Sequence, residues 1–202
     1  MSTDTSTSLS DLTGSWDLDP AHTQLSFAAR HAMVATVRGQ FRDFTGVLQL
    51  DGQDPAKSSA EVTIQTASID TGVEQRDEHL RSGDFLECEK YPTITFKSNR
   101  AEVDGDEYTL FGDLTIKDTT RPVELTVEYN GTATDPYGNL RAGFEGSTTI
   151  NRKDWGLTWN VALETGGILV GDKVKIGLDV SAVKRGEESA APEPKQLADE
   201  QE

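Results

Sequence analysis

Cysteine occurs once in this 202-residue chain, at Cys88, and histidine three times, at His22, His31 and His79. A single cysteine closes no disulfide within the chain, and such sparse sulfur and imidazole argues against a structural zinc site. No run of about 18 apolar residues exists, which excludes a membrane-spanning helix. The start of the chain shows no basic stretch followed by an apolar one, so no secretory signal is read there, and a cytoplasmic protein is expected. Phosphate-binding glycine loops, the dinucleotide fingerprint, the G-x-S-x-G elbow and calcium-loop spacing are all missing. Positive charge is also scarce: 19 Lys and Arg stand against 35 Asp and Glu, a formal net charge of −16. That balance repels nucleic acid and anionic membrane surfaces.

What the chain does contain is alternation. Leu25, Phe27 and Ala29 share one face of a run; so do Phe44, Gly46, Leu48 and Leu50, then Val62 and Ile64, then Ile94 and Phe96. The pattern returns at Leu110–Ile116, Val123–Tyr129, Ala142–Ile150 and Val174–Val180. Period two with one apolar face is the signature of antiparallel strands with one side wet. The turns between them are rich in Asp, Gly, Pro and Asn, as at Asp51–Pro55 and Asp135–Asn139. Eight or so strands with no long helix predict a mainly β fold: a barrel, which hides its edges, with a sandwich as the alternative. A barrel of eight strands has room for one apolar ligand.

Polar ends account for part of the low hydrophobic share of 35%. Residues 1–13 read as a flexible N-terminal tail and residues 184–202 as an acidic disordered C-terminal tail, leaving one domain over 14–183.

The stretch "TGVEQRDEHLRSGDFLECEKYPTITF", Thr71 to Phe96, interrupts the strands and gathers charge. Thr71 and Glu74 have capping-box spacing, and Val73 and Leu80, seven apart, share a helical face. Gly83 can end the helix, Asp84 can cap a further turn bearing Phe85 and Leu86, and Pro92 stops it. The expectation is a helical crossover with Leu80, Phe85 and Leu86 turned to the barrel and the charges in water. A metal site is not expected: Asp77 and His79 are two apart and diverge on a helix, and no second His or Cys stands at ligand spacing. His22, in "LDPAHTQL", is expected to fix a turn rather than act as a base. His31 is expected at the barrel rim. Cys88 lies between Glu87 and Glu89, which disfavour a thiolate, so no nucleophile is assigned. No catalytic residue and no required cofactor follow from the residues.

Four stretches in order resemble the YceI-like family of polyisoprenoid-binding proteins: "WDLDPAHTQLSFAARHAMVATVRGQFRDFTGVL", "VTIQTASIDTGVEQRDEHLRSGDFLECEKYPTITFKS", "GDLTIKDTTRPVELTVEYNG" and "RAGFEGSTTINRKDWGL". The resemblance implies an extended antiparallel eight-stranded lipocalin-like barrel with short helical crossovers and an interior tunnel for a long isoprenoid, an isoprenoid quinone or a fatty-acid-like lipid. Carried onto this chain, it implies a tunnel lined by Phe27, Phe41, Phe44, Ile64, Leu80, Phe85, Ile94, Phe96 and Phe144. Arg30, His31, Arg38, Arg76 and His79 are the candidates for a headgroup-binding mouth. The function expected is a carrier, store or sequestering protein for such a lipid, without chemistry of its own. Two other classes stay open: an enzyme acting on an isoprenoid or quinone-like substrate at the mouth, and a stress-related structural protein with a filled cavity. A homodimer is open as well.

Overall fold

The structure, a computed structural model, describes residues 9–104 and 107–186. Eleven antiparallel strands form one sheet: β1 (Gly14–Leu18), β2 (Gln24–His31), β3 (Ala35–Phe41), β4 (Phe44–Leu50), β5 (Ser59–Gln65), β6 (Ile69–Asp70), β7 (Thr93–Asp104), β8 (Glu107–Ile116), β9 (Thr119–Thr134), β10 (Leu140–Asn151) and β11 (Val170–Lys184). The first six are halves of three broken strands. β1 pairs with β4 and β2 with β3, so β1–β2 runs antiparallel to β3–β4. β4 pairs with β5 and β3 with β6, which makes β5–β6 the third. Five whole strands follow in meander order, and β11 returns to both β1 and β2. The result is a closed eight-stranded antiparallel barrel. Closure leaves no long edge to aggregate, as the alternation demands.

The pleat places side chains as period two predicts. Along β11, Val174, Ile176, Leu178 and Val180 face the interior, while Lys173 and Lys175 are exposed. Gly112 in β8 is glycine because the ring of Phe96 and the carbonyl of Lys97 stand 2.6 Å from where a Cβ would sit. A register shift between Ser98 and Arg100 lets β7 continue beyond this crowding.

Two apolar clusters fill the ends. One gathers Ile69, Phe85, Leu86, Cys88, Ile94, Trp155 and Leu157 beneath the crossover. The other gathers Leu12, Trp16, Leu18, Leu25, Phe44, Ala142 and Ala182. Two boundaries differ from the sequence expectation. Leu9–Leu12 form a 3-10 turn with Leu12 buried, and the Leu12 carbonyl accepts from Trp16 Nε1 at 2.8 Å, so the N-terminal tail expected over 1–13 is docked on the barrel at Leu12. At the other end β11 runs through Lys184, and Arg185 forms an ion pair with Asp17, so the domain extends past 183. The rest of both expected tails, residues 1–8 and 187–202, lies outside the described residues. No helix among the described residues is long and apolar enough to cross a membrane.

Candidate ligand-binding cavity

The interior is not filled. A cavity of about 330 Å³ runs from the β4–β5 loop, where Asp51, Pro55 and Ser58 border it, to the crossover and Leu157. Its wall is almost wholly aliphatic and aromatic. Phe27, Phe41, Ile64, Leu80, Phe85, Ile94, Phe96 and Phe144 all border it, joined by Leu48, Leu114, Leu125 and Ile176 among others. Phe44 does not. It sits on the inward face of β4, opposite Ile64, but it is 3% exposed and packs with Trp16, Leu18 and Leu25. The expected lining role of Phe44 is corrected to core packing: the pleat sets which face a residue takes, and neighbouring side chains decide whether it meets the void.

None of the five headgroup candidates borders this cavity. Arg30 and Arg38 are exposed on the outer face of β2 and β3, because Phe27, Ala29, Val37 and Phe41 take the alternate positions. His31 ends β2 and is exposed. Arg76 is committed to Thr71, donating from Nε to the hydroxyl at 2.7 Å and from Nη2 to the carbonyl at 3.0 Å. His79 meets Asp84 at 2.9 Å and stands edge-on to Trp159, with ring centroids 4.6 Å apart. The expected mouth is therefore replaced by an outer-face pair, a strand-end histidine and two groups that brace the crossover.

The crossover itself is partly as expected. An α-helix, α1, spans Glu74–Arg81, and Leu80, Phe85 and Leu86 border the cavity. Thr71 does not cap it: the N-cap is Val73, which makes no side-chain cap bond and is 48% exposed instead of sharing Leu80's buried face. Gly83 does not end it either, since the helix closes on Ser82. Nor are all its charges in water. Asp77 is 3% exposed, and its Oδ1 accepts from the Thr71 amide at 2.9 Å and the Thr71 hydroxyl at 2.6 Å. Arg81 donates to the carbonyls of Ala67 and Ile69, fixing the helix to the strand before it. Burying a charge is tolerated only with such partners.

A second anchor was not legible in the sequence. Arg152, in a 3-10 turn after β10, is 5% exposed and borders the cavity. Its guanidinium donates to the carbonyls of Leu157, Trp159, Val170 and Gly171 at 2.6–3.2 Å. Burial pushes its pKa down from the ordinary value, opposed by Asp172. With its donors spent on carbonyls, Arg152 braces the loop between β10 and β11 and is not left to bind a headgroup.

At the opposite end Arg141 bridges Asp19 at 2.6 Å and Asp135 at 2.8 Å, and His22 Nδ1 lies 2.7 Å from Asp19. Hydrogen bonding from Arg141 holds the Asp19 carboxyl down at about 2 against the opposing effect of burial, helped by His22 and the Ala21 amide. Asp135 is also lowered, first by the Asn139 amide. His22 thus fixes a turn, as its position suggests. Cys88 is buried in the core.

A wall of this kind can exclude water and hold an apolar chain by burial.

Known proteins share this architecture. The YceI-like domain profile matches residues 16–182. Protein YceI of Escherichia coli O157:H7 is 41% identical over 141 residues, 70% of this chain and 74% of that protein. A UPF0312 protein of Pseudomonas aeruginosa (strain LESB58) is 40% identical over 141 residues, with the same two shares. Among solved structures, BcnA of Burkholderia cenocepacia aligns with a TM-score of 0.70 at 25% identity, covering 81% of this chain and 98% of its own. A polyisoprenoid-binding domain from Saccharophagus degradans shares the fold, with a TM-score of 0.64 at 14% identity over 84% of this chain and 98% of that one. By profile, by sequence and by barrel, this chain belongs to the YceI-like family.

Proposed function

We propose that the protein binds one long apolar chain, an isoprenoid or similar amphipathic lipid, inside the barrel and acts as its carrier, store or sequestering protein. The observation that carries this reading is the unfilled apolar cavity of about 330 Å³. At about 24 cal/mol per Å³, a permanent void of that size would cost roughly 8 kcal/mol. That approaches the whole stability of an ordinary domain, about 5–15 kcal/mol. Water is a poor filler, since cavities lined by Leu, Ile and Phe stay dry. An apolar guest removes the cost, and each buried CH₂ adds about 0.8 kcal/mol. The volume lies within the roughly 300–1,000 Å³ of ligand pockets. The same void argues against a structural protein with a filled core, and the dispersal of the five polar candidates argues against an enzyme site at a mouth. The ligand class named for the Saccharophagus relative fits the wall chemistry found here.

Native mass spectrometry of protein purified from its own host tests the reading. A one-to-one complex with a hydrocarbon-rich molecule, removed by detergent, is expected. Protein recovered without any apolar adduct, and refusing prenols added afterwards, would contradict it.

A further inference from the structure

The cavity wall includes Ala29 and Val170, which lie beside the tip of the β2–β3 hairpin. This tip is unusual. Ala32 and Met33 both adopt left-handed backbone, with φ of 48° and 65°, and Val34 N closes the turn on the His31 carbonyl at 3.2 Å. Tight hairpin turns with two positive-φ residues favour Asn-Gly or Asp-Gly, because side chains with Cβ are strained there. Here the strain is accepted and the residues are apolar. Met33 is 59% exposed and Val34 82% exposed.

A second apolar group adjoins them. Ala32 N donates to the Leu169 carbonyl at 2.7 Å, and Leu169 N donates to the Val161 carbonyl at 2.9 Å. Val161 is 46% exposed, so three of the six exposed large apolar side chains among the described residues gather at one corner. A local rule broken in favour of exposed apolar groups points to use.

Charge around the corner is opposite to that of the chain. On the outer face leading to it stand Arg30 and Arg38, with Lys173 and Lys175 on the neighbouring β11. All four are exposed, and among the described residues none has a carboxylate partner. The nearest outward positions of β10 are Ser147, Thr149 and Asn151, which are neutral. The adjoining loop carries Asp154 and Glu164; of the acids beside the four cations, Asp172 is paired with Arg152 and Lys153 and Asp70 with Arg42.

We propose that this corner docks the barrel on an anionic lipid bilayer, Met33, Val34 and Val161 entering the headgroup region and the four cations meeting lipid phosphates. Net charge of −16 opposes approach only on average; screening limits interactions to a Debye length of about 8–10 Å, so the patch in contact decides. The proposal rests on the reading of the cavity as a lipid site, to which docking would bring the Ala29–Val170 wall against the source of the ligand. Arg38 and Lys175 border an open polar hollow on this sheet face, but none of Met33, Val34 and Val161 lines it, so the corner offers a protein partner no pocket that combines its apolar and cationic groups.

Co-sedimentation with phosphatidylcholine vesicles, with and without phosphatidylglycerol, tests it. Binding at least about tenfold stronger to the anionic vesicles is expected, and its loss near 1 M salt, where the Debye length is about 3 Å. Arg30→Gln with Arg38→Gln should weaken it about 25-fold, about fivefold per cation. Ala32→Asn with Met33→Gly supplies the turn's preferred residues, so its Tm should hold or rise while vesicle binding weakens at least about tenfold through the loss of Met33. Wild-type indifference to phosphatidylglycerol would overturn the proposal. So would undiminished binding by the Ala32→Asn, Met33→Gly variant, or a dimer in light scattering that this variant abolishes. Titration with a soluble fluorescent prenyl probe, without vesicles, separates the two readings: anionic-vesicle binding without probe uptake supports docking and defeats the cavity reading.

Discussion

The end of the barrel under α1 is held by buried polar anchors, whereas the end near Leu12 and Trp16 is held by an apolar plug with an ion-pair latch outside it. The first end is closed by two long excursions of the chain, 71–92 and 152–169, whose carbonyls and amides have no sheet to bond with. Buried Asp77 and Arg152, with half-buried Arg81, supply the missing partners. The second end is closed by strands that already satisfy their own backbone, so Trp16, at 0% exposed, needs only its bond to Leu12. The Arg141 latch adds part-buried charge pairs, with the Asp19 and Asp135 side chains 16% and 8% exposed. Fully buried polar anchors are unforgiving because removing one strands its partners in a dry interior; part-buried pairs, which water can reach, lose less.

Arg152→Met tests this contrast most harshly. One buried and three part-buried carbonyls lose a charged donor, and a stability loss of about 3–5 kcal/mol is expected, lowering Tm by roughly 10 °C or more. Thermal denaturation followed by circular dichroism reads it. Asp77→Ala should cost about 2–3 kcal/mol by freeing the Thr71 amide and hydroxyl, visible as a lower urea midpoint with unchanged m-value. Leu80→Trp, by contrast, should alter Tm little while narrowing the cavity; a fluorescent prenyl chain should then bind at least about tenfold more weakly. A large Tm loss with unchanged affinity would make Leu80 a packing residue alone.

Arg141→Met should lower Tm at neutral pH by less than Arg152→Met, because its pairs are only part-buried. Its signature is the acid limb. A carboxyl whose folded pKa is depressed stabilises the fold above its unfolded pKa, near 4, and loses that contribution as pH falls through the folded value, about 2 for Asp19. The wild type should therefore lose stability between about pH 4 and pH 2, and the variant should show a shallower fall. Equal slopes would mean that the latch does not hold the Asp19 proton off.

Much of the barrel was legible because strand alternation is local. Val174, Ile176, Leu178 and Val180 announce their face within seven residues, and the structure keeps it. Local pattern ran out where contacts are decided by chain segments far apart. Phe44 has the correct inward phase, yet Trp16 and Leu25 crowd it from other strands. Thr71 and Glu74 have the spacing of a cap, but Thr71 is claimed by Asp77 and Arg76. Arg152 is the clearest case: its partners are backbone carbonyls, which have no letter in the sequence. Arg30 and Arg38 are mouth candidates when the family resemblance is carried onto the chain, and the pleat puts them on the outside.

The central claim is that the barrel holds an apolar chain by burial, and the dependence of affinity on chain length tests it most directly. A series of prenols differing by one isoprene unit, titrated against the protein, should bind progressively more tightly until the cavity is full and then level off, in line with about 0.8 kcal/mol per buried CH₂. In Leu80→Trp the plateau should arrive at a shorter chain. Affinity independent of length, or a plateau unmoved by that substitution, would contradict the account.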